Sequence, residues 1–165
     1  MQRCLRAASI GAIMNPTERE RPSWDEYGML LAYSAAQRSP DPYTIVGAAA
    51  FRKDHSTVAT GYNGAPAGTE IDWSDRDARR PLVSHAEYNC LKYADPGSAH
   101  YLYVTLLPCS KCLKLAKMHG VKEIIYDQMY ERDQQALTKA AEYGITLRQL
   151  SLKHNPFQPY EYHDV

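Results

Sequence analysis

No run of apolar residues in this chain approaches the roughly eighteen that a membrane-spanning helix needs, and no apolar core with a cleavage-like site behind it marks secretion. Neither sign of charge is in excess, because nineteen Lys and Arg balance nineteen Asp and Glu. That balance removes the broad basic footprint that nucleic-acid binding requires, so neither a membrane nor a polynucleotide partner is expected. A local basic pocket stays compatible with it. Cysteine is scarce, with four residues at positions 4, 90, 109 and 112, too few and too unevenly placed for a disulfide scaffold. Phe is scarcer still, at two against thirteen Tyr, an imbalance compatible with polar-edged interfaces. Repeats and low-complexity tracts are lacking. An intracellular, cytoplasmic protein is the expectation.

What is present is an ordinary globular composition, 44% hydrophobic and 23% charged over 165 residues, enough for one domain with its own core. Residues 1–21 carry Arg3, Arg6, Arg19 and Arg21 with no acid before Glu18. They read as an amino-terminal extension, with organelle targeting as the weaker alternative and a false start ahead of Met14 as another. Ser23 and Glu26 spell a capping box, and Trp24, Tyr27, Leu30, Leu31 and Ser34 repeat at helical spacing, predicting a helix over 24–38 that Pro40 forbids to continue. Segments 44–51 and 57–62 read as an antiparallel hairpin ended by Asn63-Gly64. The stretch 64–83 has no periodicity and reads as a long functional loop.

From residue 84 onward the pattern alternates, with helices over 84–94, 109–119 and 133–143 and strands over 100–106, 122–126 and 145–150. Gly120 and Gly144 stand where helix C-caps belong. Such alternation demands parallel pairing through right-handed crossovers, so the expectation is an α/β fold with a five-stranded mixed sheet spanning 22–150. Residues 151–165, with Pro156 and Pro159, read as a carboxy-terminal tail.

Chemistry concentrates at two of these helix starts. His85-Ala86-Glu87 opens one, and Pro108-Cys109-Ser110-Lys111-Cys112 opens the next. Two thiolates and an imidazole make three ligands for a borderline-soft cation, and three protein ligands with an open position distinguish catalytic zinc from structural zinc. Helix N-termini stabilise thiolates, and Pro108 suits the start of a helix. Glu87, two residues from His85, need not ligate and is free to move protons for a metal-acidified water. Taken singly the motifs have bland readings: Ser84 and Glu87 also spell a capping box, and a Cys pair three apart can bury a helical face. A structural zinc would need a fourth ligand, and no spacing marks His119, Cys90 or His100 as one. The pattern H-x-E with P-C-x-x-C matches that of zinc nucleobase deaminases, which lose an amino group by hydrolysis.

With these motifs the chain resembles the cytidine and deoxycytidylate deaminase superfamily, and within it the deoxycytidylate (dCMP) deaminase branch, over Trp24 to Leu150. The resemblance rests on Ala36-Gln37-Arg38-Ser39 with Asp41-Pro42, Val46-Gly47-Ala48, Gly61-Tyr62-Asn63-Gly64 with Pro66 and Gly68, the metal motifs, Thr105, Gly120-Val121-Lys122-Glu123, and Tyr130 with Asp133. It implies a three-layer α/β/α cytidine-deaminase-like fold and hydrolysis of dCMP to dUMP and ammonia, with one catalytic zinc on His85, Cys109 and Cys112 and Glu87 as proton shuttle. It further implies that Asn63 contacts sugar and base, that the Ala86 backbone amide meets the pyrimidine carbonyl, and that Arg38, Ser39 and Tyr130 border the nucleotide. Branch members are commonly homohexamers switched on by dCTP and off by dTTP with Mg2+, and Gly61 to Gly68 matches the effector region.

The chain departs from the family pattern in four places. Cys90 and Leu91 follow Asn89 where the family has Ala-Ile. The connection from Lys92 to Ala99 is short and leaves Lys92 as its one basic residue for phosphate, with Arg76, Arg79 and Arg80 as substitutes unless they form only a solvated loop. The loop from Ala65 to Ser84 has no Cys or His for the second zinc that some members carry. Residues 1–21 have no counterpart. Two competing readings remain at this stage: a deaminase of a nucleoside or modified cytosine nucleotide, and a non-catalytic zinc-stabilised nucleotide-binding module.

Overall fold

A computed structural model describes residues 20–157. The extension expected over 1–21, with Cys4, falls almost wholly outside these residues, and so does the end of the tail. The elements run α1 (Trp24–Ala36), β1 (Gly47–Phe51), β2 (Thr57–Tyr62), α2 (Arg76–Arg79), α3 (Ala86–Leu91), β3 (Tyr101–Leu106), α4 (Ser110–Met118), β4 (Glu123–Gln128), α5 (Ala136–Tyr143) and β5 (Thr146–Gln149). The five strands form one mixed sheet in the order β2-β1-β3-β4-β5. β1 is antiparallel to both neighbours, while β3, β4 and β5 run parallel. Among the described residues no helix is long and apolar enough to cross a membrane.

Alternating side chains send each strand's residues to opposite faces. On one face Met29, Ala32 and Tyr33 of α1 cover Ala49, Phe51, Tyr103 and Ile125. On the other, α3, α4 and α5 bring Cys90, Leu91, Leu113, Ala116 and Ala140 onto Ala48, Ala50, Leu102, Val104 and Ile124. The outcome is the expected three-layer α/β/α fold. Leu152 and Phe157, at the start of the expected tail, pack against the α1 cluster, so this part of the chain covers apolar surface.

The capping box forms as read: Glu26 N–H donates to Ser23 Oγ at 3.2 Å and Ser23 N–H to Glu26 Oε2 at 2.8 Å. Several boundaries differ from expectation for local reasons. β1 starts at Gly47 and not at residue 44, because the Asn63 side chain takes the Val46 N–H and the Thr44 carbonyl, both at 2.8 Å. α3 starts after His85 because Ser84 pairs through its backbone with Gly64, and it ends at Leu91, ahead of Asp95-Pro96. α5 starts at Ala136 because Asp133 bonds elsewhere, as described below. The one-turn α2 lies within the stretch read as a loop.

Gly61 fixes how closely α3 approaches the sheet. A methyl group there would stand 2.4 Å from Cys90 N and 2.6 Å from Ala86 O, backbone atoms that cannot turn aside. Gly61→Ala is therefore expected to push α3 off β2 and destabilise the fold by roughly 3 kcal/mol, at the upper end of ordinary overpacking. A lowered urea midpoint at unchanged slope is the readout; an unshifted midpoint would show that α3 yields without cost.

Candidate active site

The sequence places His85 and Cys109 at helix starts, and the structure makes each of them the N-cap. Both are extended (φ −71°, ψ 155° and φ −70°, ψ 165°), and their carbonyls begin α3 and α4 through Asn89 N–H and Leu113 N–H, each at 3.0 Å. Neither side chain caps its own helix, so imidazole and thiol are turned outward to meet each other. Ser84 is not the N-cap, so the Ser84 and Glu87 capping box does not form.

Cys109 Sγ lies 3.6 Å and Cys112 Sγ 3.4 Å from His85 Nδ1, and all three donor atoms lie within 4.8 Å of one another. A tetrahedral zinc with Zn–S of about 2.3 Å and Zn–N of about 2.05 Å requires S···N of about 3.6 Å. The donor set fits zinc in chemistry and in spacing.

The three groups are also coupled through their protons. The Cys109 thiol is lowered to about 4, chiefly by a hydrogen bond from the Cys112 thiol, and that bond pushes the donor Cys112 above its ordinary value. His85 is raised to about 9, first by its bond to Cys109. Three groups thus share protons that one dication replaces. Glu87, 4% exposed, stands beside them, and burial raises its carboxyl above the ordinary range.

His85, Cys109 and Glu87 line a cleft of about 210 Å³. Of the residues singled out from sequence, His85, Cys109, Glu87, Ala86, Asn63 and Tyr130 line it, as do Asp41, Arg76, Arg79 and Arg80, while Cys112 joins the site through its sulfur, within 4.8 Å of the His85 and Cys109 donor atoms. Ala86, as first residue of α3, has an N–H without an intrahelical partner. Asn63 is 6% exposed, and its amide is engaged by Val46, Thr44 and, at 3.4 Å, Asp41; it shapes the cleft wall by pinning the 41–46 segment. Ser39 lies outside the cleft and donates to the Asn63 carbonyl at 2.9 Å. Arg38 is exposed and not part of the cleft. Lys92 is also outside it, at the far end of α3, where its ammonium meets Asn89 Oδ1 at 3.2 Å and the Tyr93 ring at 5.1 Å.

Sequence reading missed Thr44, Val83, Leu106, Leu107 and Arg132, which line the same cleft. Arg132 had one signal, its place between Tyr130 and Asp133. Asp133 itself bridges elements: its carboxylate accepts from Ser110 N–H at 2.7 Å and from Gln135 N–H at 3.1 Å. The Ser110 bond holds its pKa below the usual carboxylate range and ties the loop after β4 to the first turn of α4.

A three-layer α/β/α sheet presenting two thiols and an imidazole at adjoining helix starts, with a buried glutamate alongside, is the architecture of zinc-binding deaminases. The cytidine and deoxycytidylate deaminase zinc-binding region matches residues 22–128, and the chain belongs to that family. Deoxycytidylate deaminase of Mus musculus is 34% identical over 148 residues, covering 80% of this chain and 82% of the mouse protein. The Homo sapiens protein of the same name is 37% identical over 123 residues, covering 67% of this chain and 69% of its own length. Among solved structures, dCMP deaminase from the cyanophage S-TIM5 in complex with dCMP and dUMP superposes with a TM-score of 0.68 at 27% identity, covering 80% of this chain and all of that one.

Proposed function

We infer that this chain is a zinc-dependent hydrolase that converts dCMP to dUMP and ammonia. The observation that carries the reading is the convergence of His85, Cys109 and Cys112 beside buried Glu87 on the lining of one cleft. The substrate is taken from relatives whose names specify it.

His85 Nδ1 and the sulfurs of Cys109 and Cys112 would hold the ion. When bound, zinc would acidify a water and so supply the nucleophile for the ring carbon that loses its amine. Glu87 would take one proton from the attacking water and deliver it to ring N3 as the new C–O bond forms, then take that oxygen's second proton and pass it to the amine as the C–N bond breaks and ammonia leaves, so one carboxyl works as base and as acid. Its burial excludes bulk water from that transfer. The Ala86 N–H orients the pyrimidine carbonyl, while Tyr130 and the wall pinned by Asn63 face the sugar. Arg38, Ser39 and Lys92 are left without a direct substrate contact in this reading; Ser39 acts by supporting Asn63.

The family resemblance supports three further parts of the proposal: a homo-oligomer, with a hexamer favoured; activation by dCTP and inhibition by dTTP with Mg2+; and residues 22–150 as the catalytic domain. Thiol ligands suit a reducing compartment, and the cytoplasm is the one proposed.

The test is ammonia release from dCMP, CMP, deoxycytidine and 5-methyl-dCMP by zinc-loaded protein, with and without dCTP and magnesium. Fastest turnover of dCMP is expected. Turnover confined to an unphosphorylated or modified substrate would move the specificity, and silence on all four would favour a binding module. Kinetics indifferent to both triphosphates in an intact assembly would remove the regulation.

A further inference from the structure

We propose that the one-turn helix α2, together with Arg132, is an arginine clamp for the substrate's 5′-phosphate, with Arg79 as its fixed element. The proposal rests on the deaminase reading and assigns the part of the cleft which that reading leaves open.

The whole chain is formally neutral, yet its cleft is not. Arg76, Arg79, Arg80 and Arg132 line it together with two carboxylates, Asp41 and Glu87. Asp41 is already engaged: it accepts from Tyr43 N–H at 2.9 Å and Thr44 N–H at 3.1 Å. Glu87 stands beside the metal donors. Four guanidinium groups thus share the lining with one carboxylate that is already bonded and one that belongs to the metal-donor cluster, a lining suited to a ligand that carries an anion as well as an aminated ring.

The cations reach the cleft from two separate segments. Arg76 and Arg79 of α2 and its C-cap Arg80 stand at i, i+3 and i+4, which puts them on one side of the turn; Arg76 and Arg79 are half-buried, while Asp77, Ala78 and Arg80 are exposed. Arg132 comes from the loop after β4. Such convergence is not what a merely solvated charged loop produces.

Arg79 is also held in place. Its guanidinium carbon sits 4.2 Å above the Tyr43 ring, and its Nη1 donates to the Trp73 carbonyl. Stacking and one bond fix the plane of the fork and leave further N–H groups on a donor that has five. Ordering before the ligand arrives is what makes a bidentate arginine effective on a phosphate carrying close to two charges. The clamp takes the role that the short Lys92 to Ala99 connection does not fill, since Lys92 lies outside the cleft.

The experiment measures kcat/KM for dCMP and for deoxycytidine in zinc-loaded, full-length protein carrying Arg79→Ala, Arg79→Lys or Arg132→Ala. The expected result is a roughly 10- to 100-fold fall in the dCMP to deoxycytidine ratio for Arg79→Ala, with Arg79→Lys recovering only part, and a smaller fall for Arg132→Ala. Inorganic phosphate should compete with dCMP more strongly in the unmodified protein than in Arg79→Ala. Equal losses on both substrates would reduce Arg79 to a loop staple between Trp73 and Tyr43 and overturn the clamp, as would an unchanged ratio in both alanine variants. If Arg79→Ala does not fold, Arg132→Ala and Arg76→Ala decide by the same ratio. If the unmodified protein turns over neither substrate, the deaminase reading fails separately, and calorimetry of dUMP against deoxyuridine decides: equal affinities overturn the clamp.

Discussion

Glu87→Gln is expected to lower kcat for dCMP by roughly 10²- to 10⁴-fold, the range of a positioned acid and base, while zinc content and fold persist. Gln has the volume of Glu and keeps an acceptor oxygen, so the packing around a residue 4% exposed is preserved. What it loses is the ability to take up a proton and return it. Three His/Cys/Cys donors remain, so the metal should stay bound. Ammonia release, metal analysis and circular dichroism on one preparation separate these effects. A kcat within about tenfold of the unmodified protein would remove Glu87 from proton transfer. Lost zinc would instead show that the buried carboxyl helps to hold the ion.

Cys112→Ala should abolish zinc retention and activity together. Cys112 is 6% exposed in the first turn of α4, and its removal leaves His85 and Cys109, too few donors for a resident ion. Zinc at about a hundred times its dissociation constant stabilises the protein that binds it by about 2.7 kcal/mol. For a chain of this size that is on the order of 5–10 °C in melting temperature. The unmodified protein should therefore melt higher with added zinc, and the variant should not respond. Stoichiometric zinc in purified Cys112→Ala would sink the ligand assignment.

The parts of the fold legible in sequence were those governed by near neighbours along the chain. Ser23 and Glu26 are three residues apart and form the box they spell; Gly144 is left-handed at φ 64° as a C-cap glycine should be. His85-x-Glu87 and Cys109-x-x-Cys112 are legible for the same reason, since each pair lies within one helical turn. Contacts between distant segments left no such trace. The strand start at Gly47 depends on Asn63, and the delayed start of α5 depends on Ser110 claiming Asp133. α2 is four residues long, too short to show a period. Lys92 is adjacent to the histidine motif in sequence, but α3 directs it away from the cleft, and Arg132 reaches the cleft from nearly fifty residues beyond His85.

The Asp133 bridge links the two ends of the site. Its carboxylate grips the N–H of Ser110, next to the ligand Cys109, and belongs to the same loop as Tyr130 and Arg132. In the proposed reading, an ion that draws Cys109 into place would steady the loop that carries Arg132, and a nucleotide held by Arg132 would steady Cys109. Coupling of this kind is reciprocal: whatever factor zinc adds to nucleotide affinity, the nucleotide returns to zinc, so a cell short of the metal would keep it longest in the molecules already engaged with substrate.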